Sequence, residues 1–266
     1  MLSDEQVTQF NRLGFLDVPN VLNPEETAHF TRVFDETMQR LEESGYFEEV
    51  EVRGFSNVTR GYRRQVVPLF EKDDRFLELL DHPRLNDLVE QLLGEDCMLI
   101  EPGVGAIFSG DSTWHCDVDG PYDWTWIKCN LYLDEPTEDT GRFYFIPGSH
   151  LREFGDPVED ALIAGHLGGV ETADIPGAYP VVPRPGSVVV FNQLTRHAYL
   201  EGKTLRRTIL INYTEQPRKR WHQYHLMGRI KYFSGHWGEP MFYDRLLESA
   251  GPRRLKRVKT PMEWAR

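Results

Sequence analysis

Trp126-Ile127-Lys128-Cys129-Asn130-Leu131-Tyr132-Leu133 is the stretch that decides the fold of this chain. Trp126, Lys128, Asn130 and Tyr132 alternate with Ile127, Cys129, Leu131 and Leu133, the period-two pattern of a strand. One face is apolar, while the other carries an ammonium and an amide and reads as functional. A second strand follows in Arg206-Arg207-Thr208-Ile209-Leu210-Ile211-Asn212-Tyr213, where Arg206, Thr208, Leu210 and Asn212 share a face and Arg207 points the other way. Val188-Val189-Val190-Phe191, after the Pro185-Gly186 turn, is continuously apolar. Working outward, residues from about 97 to 215 form short β-like runs broken by Gly and Pro, the pattern of a sandwich or barrel.

The flanks read differently. Ser3 with Gln6 makes a capping box ahead of Val7, Phe10 and Leu13, and Gly14 closes that helix. Asn23 as cap, Pro24 at the first helical position and Glu26 at the third open a second helix, with Phe30, Val33, Phe34, Met38 and Leu41 on one face and Gly45 at its end. Pro83 starts another, stopped by Gly94. Residues 46–70 lack periodicity and hold Arg53, Arg60, Arg63 and Arg64 among aromatics, which suits a lid over a cavity mouth. The tail, 216–266, is expected to pack on the barrel or close an interface. Its basic run from Arg253 to Lys259 reads as the C-terminal part of a helix, complementing the dipole.

At 266 residues, 40% hydrophobic and 12% aromatic, the chain suits one large β-rich domain, 1–266, rather than two. A net charge of −12 argues against a general nucleic-acid binder. Cys97, Cys116 and Cys129 form no paired framework, so a reducing cytoplasm is expected. With no basic-then-apolar leader and no stretch approaching eighteen apolar residues, a soluble protein with no membrane partner is expected.

His115 and Asp117 stand one residue apart, His197 follows eighty positions after Asp117, and Arg206 comes nine residues later. Two imidazoles and one carboxylate on one side of a metal form the facial triad of non-heme Fe(II) oxygenases, which leaves coordination positions open. One carboxylate lowers the ferrous charge without cancelling it, so an anionic chelating co-substrate is still attracted. A guanidinium on a cavity-facing strand then suits that co-substrate's remote carboxylate. Each residue also has a plainer reading: the triad as polar residues at strand ends, and Arg206 as a surface ion-pair arginine.

Taken with Trp114-His115-Cys116-Asp117, the stretch Asp139-Thr140-Gly141-Arg142-Phe143-Tyr144-Phe145-Ile146-Pro147-Gly148-Ser149-His150, and the opening from Leu2 to Glu26, these residues resemble the phytanoyl-CoA dioxygenase-like branch of the Fe(II)/2-oxoglutarate oxygenases. The resemblance implies a mostly β fold with flanking helices and a double-stranded β-helix (jelly-roll, cupin-like) core. It implies iron on His115, Asp117 and His197, with Arg206 on the distal 2-oxoglutarate carboxylate. Lys128, Asn130 and Thr208 become candidates for further co-substrate contacts, and Trp114, Trp126, Tyr122 and Arg63 for substrate contacts, although core packing suits the tryptophans equally. The implied reaction uses Fe(II), 2-oxoglutarate and O2, hydroxylates a small organic molecule and releases succinate and carbon dioxide. Asp117 argues against halogenation, since related halogenases vacate that position. Two departures stand out: Cys116 where many relatives carry Gln, and Tyr199 where a small hydroxyl residue often sits. Three features read as structural: His150 as a hydrogen-bonded turn residue, and His222 with His225 as neighbours on a helix lacking a third ligand. The alternatives are a non-oxidative cupin-like isomerase or hydrolase, which would not need Arg206, and a non-catalytic binding protein on the same fold. Sequence leaves the substrate and the oligomeric state open.

Overall fold

Alternation along the central strands sets the layers. The computed structural model describes residues 1–47, 58–60, 63–118, 120, 122–167, 174–238, 240–248 and 250–265. Its strands are Phe15–Val18 (β1), Val58–Arg60 (β2), Arg63–Val66 (β3), Met98–Phe108 (β4), Asp111–Ser112 (β5), Trp126–Tyr132 (β6), Arg142–Phe145 (β7), Tyr179–Val181 (β8), Val188–Asn192 (β9), His197–Leu200 (β10) and Arg206–Thr214 (β11). The helices are Asp4–Leu13 (α1), Pro24–Glu43 (α2), Leu69–Lys72 (α3), Leu77–Asp81 (α4), Pro83–Leu93 (α5), Arg152–Ile163 (α6), Arg220–Trp237 (α7) and Pro252–Ala265 (α8). A six-stranded sheet in the order β1-β9-β6-β11-β4-β3 faces a three-stranded sheet, β10-β7-β8, and β2 pairs with β5. Every strand pairing among the described residues is antiparallel. This is the jelly roll with flanking helices that the sequence leads one to expect.

The large sheet is covered on both faces, which is why β9 is apolar from Val188 to Phe191 and buried at every position. Val189 and Phe191 enter the space between the sheets with Phe15, Tyr132, Phe143, Phe145, Val181 and Tyr199. Phe15 stacks on Phe145 there, with ring centroids 4.4 Å apart. Ile127, Cys129, Leu131, Val188, Val190, Ile209 and Ile211 turn the other way, into the cluster that also holds the apolar faces of α2 and α5. The three-stranded sheet buries its outer face, Tyr144, Ala198 and Leu200, together with Val158 and Leu162 of α6.

Both N-terminal helices begin with a complete capping box, at Ser3 with Gln6 and at Asn23 with Glu26, as their sequences require. Gly14 ends α1 at φ 87°. A Cβ there would meet Thr195 Oγ1 at 2.4 Å and His150 Nδ1 at 2.6 Å, so the join of α1 to β1 packs where only glycine fits. Gly14 O also accepts from Asn192 N at 2.8 Å and from Thr195 Oγ1 at 3.0 Å, fastening this join to the turn that delivers His197.

The basic run requires a correction. It occupies the first two turns of α8, not the last. Carboxylates of α4 and α5 dictate this arrangement rather than the helix dipole: Arg253 pairs with Asp87 at 3.1 Å, Arg254 with Asp81 at 3.2 Å and Arg257 with Glu90 at 2.6 Å. Arg254 and Arg257 are buried, and α8 packs against β4. Of the expected lid, residues 48–57, 61 and 62, with Arg53, lie outside the described residues, as do the side chains of Arg60 and Arg63. Arg64 pairs with Glu42 at 3.0 Å.

Removing Arg257 would leave the half-buried Glu90 carboxylate with only the more exposed Arg253, 3.2 Å away, so Arg257→Ala should cost about 1–3 kcal/mol of unfolding free energy. Urea denaturation followed by circular dichroism would check this; an unchanged midpoint would show that the pair does not hold α8 in place.

Candidate metal centre

Two copies of one local arrangement present the imidazoles. His115 and His197 form an isolated antiparallel bridge, with His197 N donating to His115 O at 2.9 Å and His115 N to His197 O at 3.1 Å. Residues opposite each other in such a bridge place their side chains on the same face, and the two rings lie 4.3 Å apart between centroids. Each Nδ1 is 2.7–2.8 Å from the carbonyl two residues back, Thr113 O for His115 and Thr195 O for His197. Donation to those carbonyls fixes Nδ1 as the protonated nitrogen and leaves the Nε2 lone pairs for a metal. The shared Thr-x-His spelling, Thr113-Trp114-His115 and Thr195-Arg196-His197, is a signal that residue-type reasoning passed over.

Asp117 is carried by the same backbone. Its N–H donates to Gln193 O at 2.8 Å, and its carboxylate oxygens lie 3.9 Å from His115 Nε2 and 3.8 Å from His197 Nε2. The three ligand atoms fall within 4.8 Å of one another, the one such group among the described residues. Burial alone would raise the Asp117 pKa, but the charge of Lys128, with Nζ 2.8 Å away, and then those of His197 and His115 outweigh it and hold the carboxyl well below its ordinary range. Burial, reinforced by His115, depresses His197 to about 3 despite the opposing pull of Asp117. At neutral pH the site therefore offers a carboxylate and an uncharged His197, the donor forms a divalent metal takes.

The triad opens into a cavity of about 110 Å³ whose lining includes Lys128, Asn130, Phe191, Tyr199, Leu210 and Arg206. Arg206, 2% exposed, stands at the far end. Its Nη1 donates to Thr140 O at 3.0 Å, while Nε and Nη2 find no hydrogen-bond partner among the described residues. Those two nitrogens are the side-on edge of the guanidinium, the fork that matches a carboxylate. Burial lowers the Arg206 pKa to about 10, with Tyr199 and Tyr132 opposing, so the group remains charged at neutral pH. Arg207 points outward to Asp134 and Asp35.

Other candidate residues lie elsewhere. Thr208 is buried with Oγ1 unpartnered among the described residues. Trp114 belongs to the cluster under α6, and Trp126, 1% exposed, belongs to the helix-side core, so neither lines the cavity. Tyr122 donates to Asp156 at 2.5 Å, also away from the cavity. His150 accepts the turn role, with Nε2 3.2 Å from Asn11 O. His222 stacks on Trp124 and lies 3.2 Å from Asp123, while His225 packs against Trp126. Sequence reasoning missed the buried set behind Asp117: Gln193 donates to Asn212 Oδ1 at 3.2 Å, and Asn212 in turn donates to Glu101.

A jelly roll carrying two imidazoles, one carboxylate and a buried arginine at the end of one cavity defines the Fe(II)- and 2-oxoglutarate-dependent oxygenases, and this enzyme acts on a small organic molecule. The chain belongs to the phytanoyl-CoA dioxygenase family, whose profile matches residues 10–204. Among characterised relatives, a methylphosphonate hydroxylase from Gimesia maris is 23% identical over 220 residues, covering 80% of each chain. An ectoine dioxygenase from Bordetella bronchiseptica is 28% identical over 230 residues, 74% of this chain and 69% of the relative. Among solved structures, HygX from Streptomyces hygroscopicus with nickel and 2-oxoglutarate bound superposes with a TM-score of 0.61 at 18% identity, covering 81% of this chain and 88% of HygX. EvdO2 from Micromonospora carbonacea var. aurantiaca gives 0.56 at 20% identity, covering 82% and 93%. These likenesses establish the shared fold. No helix among the described residues is long and apolar enough to cross a membrane.

Folded His197 stays unprotonated from its ordinary 6.5 down to about 3, whereas the unfolded chain takes up that proton. The unfolded state then binds more protons, and the metal-free protein should lose up to about 1.4 kcal/mol of stability per pH unit across that window as pH falls. Urea midpoints measured between neutral pH and pH 4 would test this. A slope equally steep in His197→Leu would acquit His197.

Proposed function

We propose that the side-on edge of Arg206 grips the distal carboxylate of 2-oxoglutarate, and that the enzyme hydroxylates a small, charged organic molecule held on the open side of the triad. The observation that carries this reading is the pair of buried Arg206 nitrogens without partners, since a guanidinium left unsatisfied in a dry site is costly unless a ligand completes it. A non-oxidative metalloenzyme would have no use for that edge.

His115, Asp117 and His197 would hold the iron, which supplies the redox step coupling decarboxylation of 2-oxoglutarate by O2 to substrate oxidation, with succinate and carbon dioxide released. The protein's part is placement and exclusion of water. Lys128 and Asn130, on the cavity face of β6, flank the space between triad and arginine, and the Thr208 hydroxyl shares the Arg206 face of β11. The described part of the segment 46–70 is built into the fold rather than free to act as a lid: β3 is an outer strand of the large sheet beside the β4 positions Ala106 and Phe108 that line the cavity, Gln65 lines it too, and Val66, Leu69 and Phe70 are buried in the core. A charged substrate fits the two relatives named for methylphosphonate and ectoine. The whole chain, 1–266, would act as one catalytic domain, with 216–266 as an extension braced on β4. Three free cysteines support a cytoplasmic setting.

Anaerobic addition of Fe(II) and 2-oxoglutarate should give a visible charge-transfer band that His197→Ala lacks. No band in the wild type, together with no succinate released on any candidate substrate, would overturn the reading. Arg206→Ala should weaken 2-oxoglutarate binding by at least about 1.5–3 kcal/mol, the range for hydrogen bonds to a charged group. An unchanged dissociation constant would remove Arg206 from the site.

A further inference from the structure

We propose that Tyr199 is a specificity-determining residue: its ring and that of Phe108 lock the Arg206 guanidinium in place, so that the site accepts 2-oxoglutarate and rejects the diacid one methylene longer. The inference rests on the assignment of Arg206 to the distal carboxylate.

Tyr199 lies two residues beyond His197 on β10, so both side chains enter the cavity while Ala198 and Leu200 face outward. The Tyr199 ring packs against the guanidinium, with Cζ 3.0 Å from the ring centroid. Phe108, paired directly opposite Arg206 in the β4–β11 ladder, packs on it from a second side at 3.8 Å, its ring at 83° to that of Tyr199. A cation seated in the corner between two perpendicular rings cannot shift toward either of them. It is tethered as well: Nη1 donates to Thr140 O at 3.0 Å, and the Gly202 backbone approaches the same nitrogen so closely that a Cβ there would lie 2.8 Å from it.

The clamp is itself supported. Tyr199 stacks on Phe143 with centroids 5.7 Å apart at 22°, and meets Phe108 edge-on at 5.4 Å. Its backbone N–H donates to Ser112 Oγ at 2.9 Å. With the triad fixed at one end by the His115–His197 bridge and the guanidinium fixed at the other, the span between metal and carboxylate fork is constant. A longer diacid has no slack to use. A small hydroxyl side chain at position 199 would open one side of Arg206 and let the guanidinium shift away.

The test is equilibrium binding of 2-oxoglutarate and 2-oxoadipate to the Fe(II)-loaded, oxygen-free enzyme, read from the charge-transfer band and from calorimetry. The wild type should prefer 2-oxoglutarate by roughly 10- to 200-fold, the range one methylene commands in a fitted pocket. Tyr199→Ser should narrow that preference about tenfold or more, whereas Tyr199→Phe, which keeps the ring, should retain it. If Tyr199→Ser does not fold, Phe108→Leu opens the second side and should relax the preference in the same direction. A preference unchanged in whichever of these two variants folds overturns the proposal, as does a wild type that binds both diacids equally. A wild type that binds neither diacid instead overturns the assignment of Arg206.

Discussion

The reciprocal pair of backbone hydrogen bonds between His115 and His197 is the constraint on which the rest of the site depends. It joins the loop before β6 to the start of β10, so one antiparallel contact decides that two distant imidazoles share a face. Asp117 follows because its own N–H is taken by Gln193 O, in the turn that precedes His197. Backbone, not side-chain packing, therefore sets the positions of the three ligands. Side chains then set their chemistry: burial keeps His197 neutral, and Lys128 keeps Asp117 ionised.

The two ends of the cavity are built on different physics. At the metal end, polar groups face one another and are satisfied by hydrogen bonds and charge. At the arginine end a cation is taken out of water and set against two aromatic rings, with one nitrogen hydrogen-bonded and two left over. Such an arrangement is unfavourable in isolation and becomes favourable when an anion completes it. The unsatisfied edge thus says more about the co-substrate than the cavity's size does.

Much of this was legible in the sequence because it follows from period and local chemistry. Alternation along Trp126–Tyr132 gave the cavity face at Lys128 and Asn130, and alternation after Arg206 separated it from the outward Arg207. Capping boxes at Ser3 and Asn23 marked both N-terminal helices. What failed was whatever required knowing the neighbours. Trp126 sits on the same strand face as Lys128 but beyond the cavity's end, in the core. The basic run of α8 was placed at the wrong end of its helix because the carboxylates that bind it, Asp81, Asp87 and Glu90, lie more than 160 residues earlier. Glu101, Asn212 and Gln193 gave no local signal because their link is made across strands.

The two outermost strands of the large sheet, β1 and β3, come from the N-terminal part of the chain, outside the stretch that builds the jelly roll itself. A fragment trimmed to 97–215 would expose the rims of β9 and β4, each with a row of unpaired peptide groups and, in β9, an unbroken run of valines. Open rims of that kind recruit other chains. The helical leader thus doubles as a guard against self-association, which makes the minimal soluble unit of this enzyme larger than its metal-binding core.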